Sequence, residues 1–553
     1  MYKKYLIIII NIVTVVVAYG ALDDSRQVIE AQEIIEKIEA NEIIAYNDVV
    51  VEGDINLSQA NLPTRHIEST YYGRTALGLD KDAKIVEASI IITNSEFKGT
   101  VNFDNIIFQN FVDFNGTKFN IESYFMGSQF NRSAHFSSVQ FRENTWFEWS
   151  HFRDIADFSG SIFGMESQFL ESQFDNNACF DNALFTEFPD FRRARFDNVA
   201  QFEGAIFIQD AYFQKTQFLK DADFKTSKFG GGAWFSEAQF NGVADFRNSK
   251  FGHDVIFSRV RFAKDAFFSE VHYDHYADFS NADFGGDAYF WNAHFKGDAD
   301  FWGAQFNGKA DFAEAIFSGN TDFSGSHFSD NRDSDTSFYN ATFVGNTSFA
   351  DVQLSLISNF DSVDFKSSLN LSSLKFDHIK IKWADIKNNL IYDEPVYIEL
   401  TNNFESKGQF EDADNCFYQY RISRRNYIKS NLSKFIDAIE MITCGYGVKP
   451  QYTIWSGIIL IIIFGSLYYS FNATRKASSN SPKVLYILKY NENVKKLTLW
   501  DAVQFSAGVF FASHQPQDRL PIRHWKLVVR LEEIIGWFVM TLFVVTLGHV
   551  MIR

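Results

Sequence analysis

The sequence predicts a mainly β fold in which the chain winds into a solenoid of short, stacked strands. Two observations predict it. The 553 residues contain 62 Phe, where about 20 would be usual for this length. A Phe also recurs from Phe97 to Phe328 at alternating steps of six and five residues, with Tyr273 as the one substitution. Because such regular spacing requires a repeated structural unit, we infer a repeat of eleven residues.

A small side chain stands two residues before most of these Phe residues, as Ala277 does before Phe279. Residues i−2 and i of an extended segment point to the same side, so each pair is expected to fill the interior. The extra residue of each six-residue step falls where Gly, Asn and Asp collect, as at Gly285–Gly286. We interpret that step as a corner that needs a positive φ. The candidate repeat core is represented by Phe279, Phe284, Phe290, Phe295, Phe301 and Phe306.

The pattern of Ala, then Asp or Asn, then Phe, followed by two polar or small residues, resembles that of the pentapeptide-repeat family from Phe97 to Phe376. The resemblance implies a right-handed quadrilateral β-helix. Four sides would take about 22 residues per coil and give about 12 or 13 coils. The regular sixth residue departs from the family's uniform five, and a two-sided coil of eleven residues is the alternative.

The residues before the Phe series predict a leader and a cap. Residues 1–20 have the layout of a signal peptide or an N-terminal anchor, because two lysines precede an apolar run that ends in small residues. Residues 21–96 are expected to cover the open end of the solenoid. They contain a predicted helix from Ser25 to Ala40 and a first, irregular β coil from Asp48 to Leu62.

The solenoid is expected to occupy residues 97–382, and the break in register between Phe328 and Phe338 is interpreted as a surface loop. Residues 383–450 predict a helical cap and linker. Its elements are a helical hairpin of residues 395–407 and 409–429 that turns at Gly408, and a further helix from Leu432 to Thr443.

Residues 451–553 are predicted to form a two-transmembrane module. The apolar runs 454–471 and 534–552 contain no Lys, Arg, Asp or Glu, and each is long enough to cross a bilayer. Basic residues are concentrated between them, which favours a cytoplasmic loop. With the lysine-bearing N-terminus also inside, the solenoid is expected to lie outside the cytoplasm in a multi-pass protein of the cell membrane.

The C-terminal block resembles the tail of pentapeptide-repeat proteins that carry a two-helix ion-channel module. The resemblance rests on CGYGVKP from Cys444, LWDAVQFSAGVFF from Leu499 and EEIIGWFVM from Glu532. It implies a pore helix followed by a TVGYG filter whose carbonyl groups bind the ion. That filter is missing here. What remains is a span, an amphipathic helix from Trp500 to Phe511 that lies in the interface or re-enters the membrane, and a second span.

Six candidate pore-loop or membrane residues follow from this arrangement. Glu532 and Glu533 begin the last helix, where the helix dipole favours acids, and His549 is an ionisable residue inside an apolar run. Gly457 and Gly465 share one helix face, which would permit close packing in a homo-oligomer. The six candidates are Phe505, Ser506, Gly508, Glu532, Glu533 and His549.

Charge and motifs limit the function. The net charge of −18 excludes a binder of the nucleic-acid backbone, and no catalytic, metal or cofactor motif occurs, so we expect neither an enzyme nor a cofactor. The sequence predicts a membrane-anchored, non-catalytic scaffold or interaction surface with a protein or envelope partner. The alternative is an oligomeric ion-channel-like protein with the solenoid as a regulatory or vestibule domain.

Overall fold

The computed structural model separates two compact units, Met1–Ile381 and Lys382–Arg553. The first is a β-solenoid of about 15 turns, and the second is helical. The predicted leader, residues 1–20, lies outside the described part of the chain. The described residues are 26–67, 82–329, 331, 334–476, 497–511, 519–522 and 525–552.

The solenoid has four faces of short strands stacked in parallel. Three faces are continuous sheets, and the fourth consists of a sheet of five strands and a sheet of eight strands joined by isolated bridges at Asp190. One coil supplies one strand to each face. Successive strands on a face lie 22 residues apart, so that Ala277 pairs with Ala299 and Phe284 with Phe306. The quadrilateral β-helix is therefore confirmed, and the two-sided coil of eleven residues is wrong. The strands of one coil are Ala277–Asp278, Asp283–Phe284, Ala288–Tyr289 and His294–Phe295.

The four faces run along the whole Phe series. From the coil that leads into the Phe series, the first and last strands on the four faces are Ile90–Thr93 and His378–Lys380, Glu96–Phe97 and Asp364–Phe365, Val101–Asn102 and Leu369–Asn370, and Ile106–Phe108 and His327–Phe328. One step between coils is 26 residues instead of 22, where Ile316 pairs with Thr342. This insertion coincides with the predicted break in register, part of which lies outside the described residues.

The solenoid begins earlier than the Phe series predicts, which explains the larger number of turns. Gln27–Glu30 pairs in parallel with Val49–Glu52, and Ile44–Asn47 pairs with Ile90–Thr93. The predicted helix Ser25–Ala40 is therefore partly wrong, because helix α1 is only Ala31–Glu39. The β-branched residues before α1 extend the sheet edge instead of continuing the helix. The remaining early strands are Ile55–Asn56, Thr64–His66 and Asp82–Val86.

The Phe side chains form the core, and all six candidate core residues are buried. Rings one coil apart stack in parallel, as Phe279 and Phe301 do with centroids 5.0 Å apart and an interplanar angle of 3°. Rings half a coil apart meet edge to face, as Phe279 and Phe290 do at 5.3 Å and 88°. Such pairs contribute about 0.5–1.5 kcal/mol each beyond the burial of their area.

The corners differ from the sequence interpretation. The left-handed residues lie in the five-residue steps, at positions such as Asn281 (φ 53°) and Asn292 (φ 52°). The glycine-rich six-residue steps instead bring adjacent coils into close contact. A Cβ on Gly286 would lie 2.5 Å from the carbonyl carbon of Lys264, so no side chain fits there. The expected positive φ at Gly285–Gly286 is therefore wrong, and the reason for glycine is space.

The second unit contains seven α-helices among its described residues. Asp393 caps α3 (Glu394–Ser406) by accepting a hydrogen bond from Val396 N at 3.2 Å, and Gly408 (φ 70°) makes the turn between α3 and α4 (Phe410–Arg424), as predicted. The helix predicted from Leu432 to Thr443 is confirmed as α5. The bounds are α2 Trp383–Ile386, α3 Glu394–Ser406, α4 Phe410–Arg424, α5 Asn431–Cys444, α6 Pro450–Ser470, α7 Leu499–Phe510 and α8 Lys526–Ile552.

Among the described residues, only α6 is long and apolar enough to cross a membrane by the criteria of length and composition. It contains the first predicted span almost entirely. The second predicted span, 534–552, is helical within α8, and its crossing of a membrane stays a prediction. A short hairpin of Thr474–Lys476 with Arg519–Pro521 lies between α6 and α8 in sequence.

Candidate functional site

Helices α6, α7 and α8 pack against one another, with the short helix α7 in contact with both longer helices. Glycines permit this packing. A Cβ on Gly465 would lie 2.8 Å from Val503 Cα, and one on Gly536 would lie 2.1 Å from the carbonyl oxygen of Phe510. The other residue of the predicted oligomer face, Gly457, contacts the Phe510 ring. The Gly457 and Gly465 face is therefore occupied by helix α7 of the same chain.

A buried polar cluster links the three helices. Glu532 of α8 is fully buried, and its Oε2 accepts a hydrogen bond from the Tyr468 hydroxyl at 2.5 Å. Its Oε1 contacts the Oγ of Ser506 on α7. The same Oγ lies 2.9 Å from the carbonyl oxygen of Ile461 on α6. One carboxyl group thus connects both long helices to the short one.

The single hydrogen of the Ser506 hydroxyl limits the hydrogen bonds that this cluster can form. The Ser506 hydroxyl has one hydrogen but two oxygen neighbours that can accept it, Ile461 O and Glu532 Oε1. If Ser506 donates to Ile461, its contact with Glu532 needs a hydrogen from the carboxyl group. If Ser506 donates to Glu532 instead, Ile461 O still accepts the backbone hydrogen bond of α6, so either arrangement satisfies the buried polar groups.

The six predicted candidates divide into two groups. Phe505, Ser506 and Glu532 are brought together, and the Phe505 ring meets Tyr468 edge to face at 5.4 Å. The other three do not join the cluster. Gly508 is half-buried on α7, and Glu533 is exposed on α8. His549 is exposed and lines a separate pocket with residues of α3 and with Tyr446.

Sequence reasoning missed the role of Tyr468, because an aromatic residue near the end of an apolar run is ordinary at a membrane interface. Its partner Glu532 is 64 residues away, and no local pattern relates the two positions. It also missed the orientation of α5. The exposed apolar stripe on that helix could have been found from its spacing of three and four residues.

The walls of the solenoid carry many acids, but their carboxyl groups support the backbone. Oδ1 of Asp278, Asp300 and Asp322 each accepts a hydrogen bond at 2.8 Å from the backbone N–H two residues later. Burial, together with Asp278 and Asp322, raises the pKa of Asp300 above its ordinary value. These acids therefore stabilise corners, whereas other outward positions of the described walls carry larger side chains, such as Trp302 and the stacked pair Phe267 and Tyr289.

The family model described as pentapeptide repeats matches the chain with nine copies. The matched residues are 92–140, 180–228, 224–272, 277–305 and 301–353. No curated protein and no solved structure matches the chain. No catalytic family is indicated. The resemblance of the C-terminal block to an ion-channel module is not confirmed.

Proposed function

Residues 92–353 make this chain a member of the pentapeptide-repeat family, and we propose that it is a membrane-anchored, non-catalytic scaffold. In this proposal the solenoid lies outside the cytoplasm and presents its walls to a protein or envelope partner. The C-terminal helical unit anchors the chain in the cell membrane with its two apolar helices, α6 and α8.

The observation that carries the membrane anchor is the surface of α6. On the side that faces away from α7 and α8, this helix exposes a series of large apolar side chains. Full burial of such a side chain contributes about 1.5–3 kcal/mol, and each of these residues would forgo part of that free energy in water. A lipid environment removes that cost. The exposed residues include Trp455, Ile458, Ile459, Ile462 and Ile463.

The scaffold role is supported by the geometry of the solenoid. Its interior is filled by aromatic rings, and the described walls consist of parallel strands with alternating inward and outward side chains. A repeat surface of this kind is suited to extended contacts with a macromolecule, because each coil presents the same backbone geometry. The acidic character of the chain favours partners with basic surfaces.

The orientation rests on charge. Basic residues between α6 and α8 favour a cytoplasmic loop. Residues 421–449, which precede α6, favour the opposite orientation, because they contain six Lys and Arg against two Asp and Glu. The experiment must therefore distinguish two opposite topologies.

Two variants, each with one introduced cysteine, test the proposal in intact cells with a membrane-impermeant thiol reagent. Lys264→Cys lies on an exposed wall of the solenoid, and Gln515→Cys follows α7 and precedes α8 in the sequence. The unsubstituted chain, with its three native cysteines, gives the background. We expect labelling at position 264 and none at position 515 until the cells are lysed. The reverse pattern would overturn the extracytoplasmic location, and recovery of the chain in the soluble fraction would overturn the anchor.

A second candidate function, an oligomeric ion-conducting protein, is favoured by one specific observation. The short helix α7 lies between two long apolar helices and is held by the Ser506, Glu532 and Tyr468 cluster. Purified full-length protein in planar bilayers would test it. Conductance that changes in Glu532→Ala would support a channel, whereas no conductance at any applied potential would reject it.

A further inference from the structure

Helix α5 has an inverted amphipathic arrangement within the helical unit. Its polar side packs inward, whereas its apolar side is exposed. The exposed residues are spaced three and four apart and therefore share one face of the helix. Between 42% and 68% of each side chain is exposed. They are Leu432, Phe435, Ile436, Ile439 and Ile442, which we call the α5 apolar face.

Ion pairs and hydrogen bonds fix this orientation. Asp437 is buried on the inward side, where it accepts a hydrogen bond from the Tyr446 hydroxyl at 2.8 Å and lies 3.3 Å from Arg421. Glu440 pairs with the same guanidinium at 2.6 Å. Arg421 also lies over the Tyr446 ring, 4.4 Å from its centroid. Rotating the apolar face inward would turn Asp437 and Glu440 away from Arg421, so that this guanidinium would lose both of its carboxylate partners.

The position of α5 along α6 indicates what covers its apolar face. The Ser456 hydroxyl, in the second turn of α6, lies 3.3 Å from the carbonyl oxygen of Thr443 near the end of α5. The exposed Trp455 ring is at the same level. Tryptophan near the end of a spanning helix is typical of the headgroup region. Helix α5 is therefore placed at the level where α6 would enter the bilayer.

The basic charge of the segment around α5 also favours a position at a membrane surface. Residues 421–449, which contain α5 and its flanks, have six Lys and Arg against two Asp and Glu. Lys429 is exposed just before α5, and Lys434 lies in its first part. A basic segment with an exposed apolar helix face is suited to the surface of an anionic bilayer, where apolar burial and attraction to the headgroups act together.

We propose that α5 is an interfacial helix whose apolar face is inserted at the boundary between the headgroups and acyl chains of an anionic phospholipid bilayer. This inference rests on the proposed membrane anchor, since it requires α6 to cross the same bilayer. Its function is to fix the level and orientation of the helical unit at the membrane surface.

Fluorescence quenching in the full-length protein tests this placement. The chain is reconstituted in nanodiscs of phosphatidylcholine and phosphatidylglycerol, and one introduced cysteine is labelled with an environment-sensitive fluorophore. Phe435→Cys probes the α5 apolar face, and Ser433→Cys is the matched control on an exposed part of the same helix outside that face. Ile462→Cys probes the middle of α6. The quencher is a lipid brominated in its acyl chains.

We expect quenching at position 435 to be at least twofold stronger than at position 433, and quenching at position 462 to be strong. Strong quenching at 462 with equal, weak quenching at 435 and 433 would overturn the interfacial helix but keep the membrane anchor. Weak quenching at 462 would instead reject the anchor itself.

Two further measurements separate other occupants of the α5 apolar face. Replacing phosphatidylglycerol with phosphatidylcholine is expected to reduce the quenching at position 435, and unchanged quenching would reject the requirement for anionic lipid. Disulfide-linked dimers of Phe435→Cys that form in nanodiscs, with no lipid quenching at that position, would identify a second copy of the chain as the occupant and overturn the proposal.

Discussion

Tyr273 places an unpaired hydroxyl group in the aromatic core. Its ring is buried between Phe251 and Phe295, with centroid distances of 5.4 and 4.4 Å. Among the described residues the hydroxyl has no hydrogen-bond partner, and burial raises the pKa of Tyr273 well above its ordinary value. An unsatisfied buried polar group costs about 1–3 kcal/mol.

We therefore expect Tyr273→Phe to stabilise this part of the solenoid. The expected result is slower amide hydrogen exchange in the strands His272–Tyr273 and His294–Phe295, which reports the free energy of local opening. Phe251→Tyr is the matched control, because it adds a second buried hydroxyl in the next coil and should accelerate exchange. Equal exchange in the parent chain and in Tyr273→Phe would contradict the prediction.

Asp104 gives the first coils a dependence on pH. Burial raises its pKa to about 6, despite a 2.8 Å hydrogen bond from Met126 N that lowers it. An aspartate in the unfolded chain titrates near its ordinary value of 3.8. Between these two values the folded state binds more protons than the unfolded state, so stability falls as pH rises and remains lower above the folded pKa.

We expect Asp104→Asn to be more stable than the parent chain at pH 7 by about 1–3 kcal/mol. The amide oxygen can still accept the bond from Met126, as Asn115, which follows Asp104 in the same series of coils, accepts one from Ser137 N at 2.8 Å. At pH 3 the difference should disappear, since Asp104 is then neutral in both states. Thermal unfolding followed by circular dichroism at the two pH values checks this, and a constant difference would refute it.

At the scale of elements, the strands were predictable wherever a residue's role is decided by its immediate neighbours. The small residue at Ala277 and the ring at Phe279 define an inward face with no knowledge of the rest of the chain. The strand Gln27–Glu30 was not predictable, because its edge partner Val49–Glu52 is supplied from beyond α1. The glycine at Gly286 was assigned the wrong cause, since the atoms that exclude a side chain belong to the previous coil.

The candidate site follows the same rule. The sequence points to Ser506 through the resemblance to a pore loop, and to Glu532 through an expected position at the start of the last helix. That position is wrong, because α8 begins at Lys526 and Glu532 lies in its second turn. The sequence does not point to Tyr468, since an aromatic residue near the end of a span has an ordinary interfacial explanation. Only the packing of α6 against α8 shows that its hydroxyl donates to Glu532. Contacts across 64 residues depend on helix packing that a single sequence does not determine.

Gly536 is the position at which α8 depends most on the absence of a side chain. A Cβ there would lie 2.1 Å from the carbonyl oxygen of Phe510, whereas a Cβ on Gly457 would meet only the Phe510 ring at 3.4 Å. The first contact involves backbone and cannot be relieved by rotating a side chain. Both substitutions gain the same helix propensity, about 1 kcal/mol.

We therefore expect Gly536→Ala to lower the stability of the helical unit by about 1–3 kcal/mol relative to Gly457→Ala, because α7 and α8 must separate. Thermal denaturation of the full chain in detergent, followed by the exposure of buried Cys416 to a thiol reagent, measures the difference. If the two variants denature at the same temperature, the close approach of α7 to α8 is not required for stability.

At the scale of the whole molecule, the coil of 22 residues is the unit that keeps the solenoid continuous. Each coil adds one strand to every face, so the pairing of a face depends on the number of residues between its strands. The natural insertion at the step of 26 residues, where Asn346 N donates to Asn320 Oδ1, shows that extra residues are accommodated when all four faces resume their register.

Removing residues 244–265 deletes one strand from each face and should therefore leave a shorter solenoid of the same kind. Ala222 would pair with Ala266 in place of Ala244, and each Phe ring would stack on a ring from the next remaining coil.

Removing only residues 244–260 is the control. It deletes strands from three faces and shifts every later strand to the wrong one, so unpaired strand edges and mismatched corners result. We expect the first deletion to retain the far-ultraviolet circular dichroism per residue and a cooperative thermal transition, and the second to lose the transition or aggregate. Equal behaviour of the two deletions would show that the solenoid is not organised in coils of 22 residues.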